Sequence, residues 1–252
     1  MRSTILLCLA LLALAGGCRQ EDQPPHAADA TSTHMDNPVP DEAQARKARS
    51  IAILKKEGVP FIEHLPVIET EAEAKRRSTE EVALRAIALC IVSLKGEGVE
   101  NEEIHKLVRK YNITNTFSPE ESQFIDNPSP TKHNRVQFGW RYECYWVMLW
   151  ALGFVDDLSR PDKVCDVAKA VSLLRGLGRE RFLKKAKLRP ARETLDAADL
   201  IYRYHWAARE ATIKNQPPPG GLDPGVVQER HHALNWLIGY SDQEWDDVTT
   251  DT

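Results

Sequence analysis

A helix with no polar face must be covered on every side, and one stretch of this chain fits that description. Cys144-Tyr145-Trp146-Val147-Met148-Leu149-Trp150-Ala151-Leu152-Gly153-Phe154 runs without a charged residue. Wound at about 100° per residue, it presents no side to water, so the stretch from Gln137 to Gly153 that contains it predicts one central buried helix inside a shell of other helices. Within the longer segment from Gln137, only Arg141 and Glu143 interrupt the apolar pattern. A shell of that kind needs a long chain, and 252 residues with 42% hydrophobic content can supply it.

The surrounding elements are marked by their ends. Asp41 begins a helix that should stop at Gly58, and Val59-Pro60 to Ile68 reads as an extended segment crossing the domain. Ser78-Thr79-Glu80-Glu81 is a capping box that opens an almost wholly apolar helix through Lys95. Ile104, Leu107, Val108 and Tyr111 mark a one-faced helix, and Ser118-Pro119-Glu120-Glu121 starts another that ends at Asn127-Pro128. After the central helix come an apolar face from Val164 to Leu174, a basic segment from Arg179 to Arg189, and a long helix from about Ala191 to Lys214. Asp223-Pro224 caps a further helix to Ile238, and Ser241-Asp242-Gln243-Glu244 reads as one more capping box. No strand pair and no repeat is visible, so the fold class is all-α, a single multi-helix domain around a buried aromatic helix.

The first 40 residues belong to a different regime. Arg2, the apolar run Ile5 to Leu14, and the small residues Ala15-Gly16-Gly17 before Cys18 have the form of a signal peptide over residues 1–17. The apolar run is too short for a mature membrane span, which needs about 20 residues. A cysteine directly after small residues resembles a bacterial lipoprotein signal, with Cys18 as the lipidated first residue of the mature chain. The alternative is a secretory signal cut near Gly17. Arg19 after the cysteine, by the lipoprotein sorting rule, implies the outer membrane; the alternative is a secreted or periplasmic protein. Residues 18–40 are polar and Pro-containing, a tether with a typical reach of about 25 Å. Residues 41–252 form the helical domain. The membrane, through lipid on Cys18, is therefore one expected partner.

Without the leader the chain has 32 basic and 37 acidic residues, a balance that does not suit nucleic acid. Cys90, Cys144 and Cys165 lie in apolar helices without CxxC spacing and read as buried small hydrophobes. An oxidising envelope permits one disulfide among them.

Charges also fall on apolar helix faces. By helical periodicity Arg209 lies in the stripe of Leu195, Ala198, Tyr202, Trp206 and Ile213, flanked by Asp199 and His205. Arg230 lies in the stripe of Val226, Val227, Ala233, Leu234, Leu237 and Ile238, with His231 and Asn235 at one margin. Glu143 aligns with Trp150 and Phe154, Arg141 with Met148 and Leu152. Buried charges must pair, and Glu143 or Asp199 with Arg209 or Arg230 are the natural combinations. Arg141, Glu143, Asp199, His205, Arg209, Arg230, His231 and Asn235 are thus the candidate polar cluster, either a structural network or a ligand site.

Other chemistries find less support. His205, His231 and His232 with Glu229 lack HExxH or paired-Cys spacing, and adjacent histidines on a helix point about 100° apart, so no metal is expected. There is no G-x-S-x-G, Walker loop or G-x-G-x-x-G, so no cofactor is expected; the Gly96 and Gly176–Gly178 glycines read as helix stops. A Cys144–His205 nucleophile pair is open, although apolar surroundings make a thiol inert. The lysines 184, 185 and 187 with Arg189 read as a solvated basic face.

The segments Trp140 to Glu143, Leu149 to Gly153, Asp199 to Ala207 and Glu229 to Leu237, with the ending Trp245 to Thr252, resemble the bacterial domain of unknown function 4272 from about Ala45 onward. The resemblance implies no activity or ligand, and its segments coincide with the inward charges. The resulting expectation is an envelope lipoprotein whose helical domain is a binding module. One alternative is a hydrolase or transferase with Glu143 or His205 as proton carrier and Arg209 or Arg230 holding an anion. The other is a purely structural envelope protein.

Overall fold

The computed structural model describes residues 41–252. The expected signal peptide, Cys18 and the expected tether lie outside the described residues. Within them the chain folds into nine α-helices with no strand, and no helix is long and apolar enough to cross a membrane. The helices are α1 (Asp41–Glu57), α2 (Thr79–Gly96), α3 (Asn101–Tyr111), α4 (Pro119–Asp126), α5 (Lys132–Gly139), α6 (Arg141–Ala151), α7 (Val167–Lys185), α8 (Ala191–Ile213) and α9 (Pro224–Ile238).

The local signals act where they stand. Ser78 and Ser118 each form a complete capping box, with Glu81 and Glu121 returning a bond to the cap backbone, and Asp223 accepts from Gly225 and Val226 at the start of α9. Every residue of α6 from Tyr142 to Ala151 is buried, and α2 packs beside it with twelve buried residues of its own. From Cys144 onward the uncharged run explains the burial, since a side chain on any azimuth loses water contact without leaving a charge unsolvated; Glu143 is the exception and needs a partner.

Three expectations need correction. The apolar segment is not one helix, because the chain breaks between α5 and α6 at Trp140. At this end of α5, Gly96 and Gly139 meet: a Cβ on Gly96 would lie 2.5 Å from the Gly139 nitrogen, so the α2–α5 contact needs a bare backbone. Ser241 does not cap a helix; it adopts a left-handed φ of 53° within a short 3-10 turn, and a second such turn covers Trp245–Asp247. The face of α8 is also rotated from the expected one. Ala198, Ala207, Ala208 and Ala211 are buried, whereas Tyr202 and Trp206 are only half-buried and Ile213 is 71% exposed. Small side chains let α8 approach its neighbours closely, which draws the alanine face inward together with Leu195, Ile201 and Tyr204 and leaves Tyr202 and Trp206 at the margin. Arg209, expected inside, is therefore exposed, and Arg203 occupies the buried position.

The stretch between α1 and α2 crosses the domain without helix. Lys47 on α1 holds it by donating to the carbonyls of Glu63 and Leu65, and Arg46 donates to the Glu69 carbonyl at 2.8 Å. Beyond α9 the chain folds back. Trp245 is buried against Trp236 and His232, with the Arg85 and Arg141 guanidinium groups over its ring.

Candidate functional site

The inward polar residues separate into three groups. The first joins α6 to α9. Glu143 and Arg230, each 2% exposed, meet with Nε donating to Oε2 at 2.9 Å. The other carboxylate oxygen accepts from the Cys165 backbone N–H at 2.5 Å, and Arg230 Nη1 donates to the carbonyls of Leu158 and Ser159 at 2.7 and 3.0 Å. The loop between α6 and α7 thus wraps the pair, with Ser159 held at a φ of 56°. Both carboxylate oxygens are engaged, which removes Glu143 from the role of an available proton carrier.

The second group lies one residue away on each helix. Arg141 Nη1 donates to Glu229 Oε2 at 3.0 Å, and Cys144 Sγ lies 3.1 Å from the same oxygen and 3.2 Å from the Glu229 carbonyl. Cys144 is thus paired with Glu229 and not with His205. Burial, then the Glu229 charge, pushes its thiol well above the ordinary cysteine range, and burial holds Cys90 up at about 12. Neither has the accessible thiolate of a nucleophile. All three described cysteines are free.

The third group joins α8 to α9. Asp199 and Arg203, 0% and 1% exposed by side chain, form a bidentate pair within one turn of α8, at 2.7 and 2.9 Å, and Arg203 also donates to the Pro66 carbonyl. The partner of Asp199 is therefore Arg203 and not the expected Arg209 or Arg230. Sequence periodicity missed Arg203 because the stripe was phased on Tyr202 and Trp206. The signal that identifies it is the i,i+4 spacing from Asp199.

Close by, His205 and His231 face each other with their Nδ1 atoms 2.8 Å apart and their rings edge to face. Two Nδ1 atoms at that distance share one proton, so one ring carries Nδ1–H and the other presents a lone pair. Burial, reinforced by Arg209, lowers His205 to about 4; burial, then the neighbouring His205 and His232, lowers His231 to about 3. Both imidazoles are neutral at pH 7. Asn235 donates Nδ2 to the Thr249 carbonyl at 2.9 Å and so ties the C-terminal segment to α9.

Three cavities adjoin these groups. The largest, about 450 Å3, is walled by Val136, Trp140, Val164 and Val167, with Lys132 and Arg135 also lining it and Glu143 reaching it. A second, about 300 Å3, lies on the other side of the same ion pair and includes Trp150, Arg160 and Arg230. The third, about 340 Å3, is bounded by the crossing segment 66–69, Tyr202, His231, Asn235, Tyr240 and the C-terminal Asp251. No group of three or more His, Cys, Asp or Glu side chains suited to a metal ion occurs among the described residues.

Comparison with curated proteins and with solved structures finds no significant match. A family model does match, over residues 46–248, which takes in every charged and histidine side chain of the three polar groups. On that match the chain belongs to the family described as Domain of unknown function (DUF4272).

Proposed function

We propose that this chain is a lipid-anchored envelope protein whose helical domain binds a small molecule in the cavity over His231. The observation that carries the binding reading is the contrast between the two kinds of polar site. Around Glu143 and Arg230 both carboxylate oxygens and two of the three guanidinium nitrogens bond inside the protein, and the pair acts as a register pin between α6 and α9. Around His231 bonding capacity is left over: Tyr202 Oη, Tyr240 Oη, Asn235 Oδ1 and the Glu69 carboxylate line the cavity and make no hydrogen bond among the described residues. Convergent polar groups with spare capacity in a preformed cavity are what a small-molecule site requires. The neutral histidine pair favours binding over proton transfer, since groups at about 3 and 4 are poor bases at neutral pH.

Two experiments test the reading. Side-chain resonances of His231 and Asn235 should move when a library spanning cationic, anionic and neutral small molecules is titrated, and resonances unmoved by every member would sink the cavity. For the anchor, Cys18→Ser should shift the protein from the membrane to the soluble fraction. Unchanged fractionation would overturn lipidation while leaving the cavity reading intact.

A further inference from the structure

We infer that the cavity over His231 takes a protonated amine, a deduction that rests on the binding site proposed above. Its lining holds two carboxylates, Glu69 and Asp251, and no lysine or arginine. Glu69 Oε2 is shielded from solvent and has no hydrogen-bond partner among the described residues. The nearby cations are committed elsewhere: Arg46 to Glu42, Asp196 and the Glu69 backbone carbonyl, Arg203 to Asp199 and the Pro66 carbonyl. A carboxylate oxygen kept from water without a donor is a costly arrangement, and a cation held in the cavity beside Glu69 offsets its charge through space.

The remaining walls agree with that assignment. Asn235 is 6% exposed, and with Nδ2 fixed on the Thr249 carbonyl its Oδ1 is left as an acceptor. Of the histidine pair it is His231 that lines the cavity; holding the shared proton on Nδ1, as a bound donor would favour, it presents a bare Nε2 as an acceptor. Tyr202 and Tyr240 supply electron-rich faces of the kind that attract organic cations. An anion would meet neutral donors alone, chiefly the hydroxyls of Tyr202, Tyr240 and Thr252, beside two negative charges. A primary ammonium, with three N–H donors and an alkyl stem to lie against Val67 and Ile68, matches the acceptors, the charge and a volume of about 340 Å3.

The test is calorimetric titration of the whole mature protein with n-butylammonium, n-butyrate and n-butanol at fixed ionic strength, on wild type, Glu69→Gln and Tyr202→Trp. Butylammonium should bind to wild type, at least tenfold more weakly to Glu69→Gln and not measurably to Tyr202→Trp, which fills the cavity; butyrate should not bind. Glu69→Gln removes no hydrogen bond, so its melting temperature without ligand should equal or exceed that of wild type. That separates a ligand-holding carboxylate from a structural one, whose loss would lower it. If butyrate or butanol binds better than butylammonium and Tyr202→Trp abolishes it, the cavity stands and the amine assignment falls. If butylammonium binds equally to all three proteins, or no compound binds, both fall.

Discussion

Replacing Arg230 by methionine keeps most of the side-chain volume and removes only the charge and its donors. It strands a Glu143 carboxylate that is 2% exposed, leaving it one bond, from the Cys165 backbone N–H, and it leaves the carbonyls of Leu158 and Ser159 without their donor. Breaking one side of a buried pair costs about 3–5 kcal/mol. For a domain of this size each kcal/mol lowers the melting temperature by about 2–4 °C, so a fall on the order of 10 °C is expected. The companion Glu143→Leu should cost a similar amount. The double variant Glu143→Leu with Arg230→Met should cost clearly less than the two together, because neither charge is stranded; a coupling of at least about 2 kcal/mol is expected. Urea unfolding of the four proteins of this cycle provides the measurement. Single costs that simply add, or an Arg230→Met melting temperature within about 1 °C of wild type, would refute the register-pin account of the pair.

The phase of α8 can be tested with two arginines. Arg203→Met should destabilise by about 3 kcal/mol, since it strands the wholly buried Asp199, while Arg209→Ala should change stability by less than about 0.5 kcal/mol, as for other exposed positions; the reverse order in urea melts would mean the helix is rotated. Acid should weaken the fold before carboxylates titrate. His205, His231 and His232 are lowered to about 4, 3 and 3, so below the unfolded value near 6.5 the unfolded chain takes up protons that the native one refuses, and stability falls as pH falls. Each histidine contributes up to about 1.4 kcal/mol per pH unit in the window from 6.5 down to about 4, and equal urea midpoints at pH 7.5 and 5.5 would contradict neutral burial of the three rings.

How far the residues announced this arrangement depends on the kind of signal. Helix ends were legible because their chemistry is local: Ser78, Ser118 and Asp223 cap with groups one to three residues away, whatever the tertiary fold does. The all-apolar α6 was legible because burial on every side needs no knowledge of which neighbour covers which face. The pairing of Glu143 with Arg230 was one of four combinations that the apolar faces left open, and the fold selects it. Side-chain phase on α8 was not legible, since Tyr202 and Trp206 look like core residues by hydrophobicity while four alanines set the close approach. Nor was the wall of the third cavity, where Glu69 and Asp251 sit about 180 positions apart in the chain and meet only because the crossing segment and the returning C-terminus close over α8 and α9.

That distinction bears on where function lies in this family. Periodicity finds charges on apolar faces, and a charge that the fold retains there has its partner; Glu143, Arg230 and Asp199 are found this way and are paired, Asp199 with the Arg203 that periodicity missed. A binding group must keep spare capacity, so it lies at the margin of a stripe or on a loop, where helical phase carries little information. His231 and Asn235, at the margin of the α9 stripe, and Glu69, on the crossing segment, occupy such positions. On the proposed binding reading, the α9 margin and the segment before α2 are therefore the positions to mutate for ligand, and the ion pairs of the core the positions to mutate for stability.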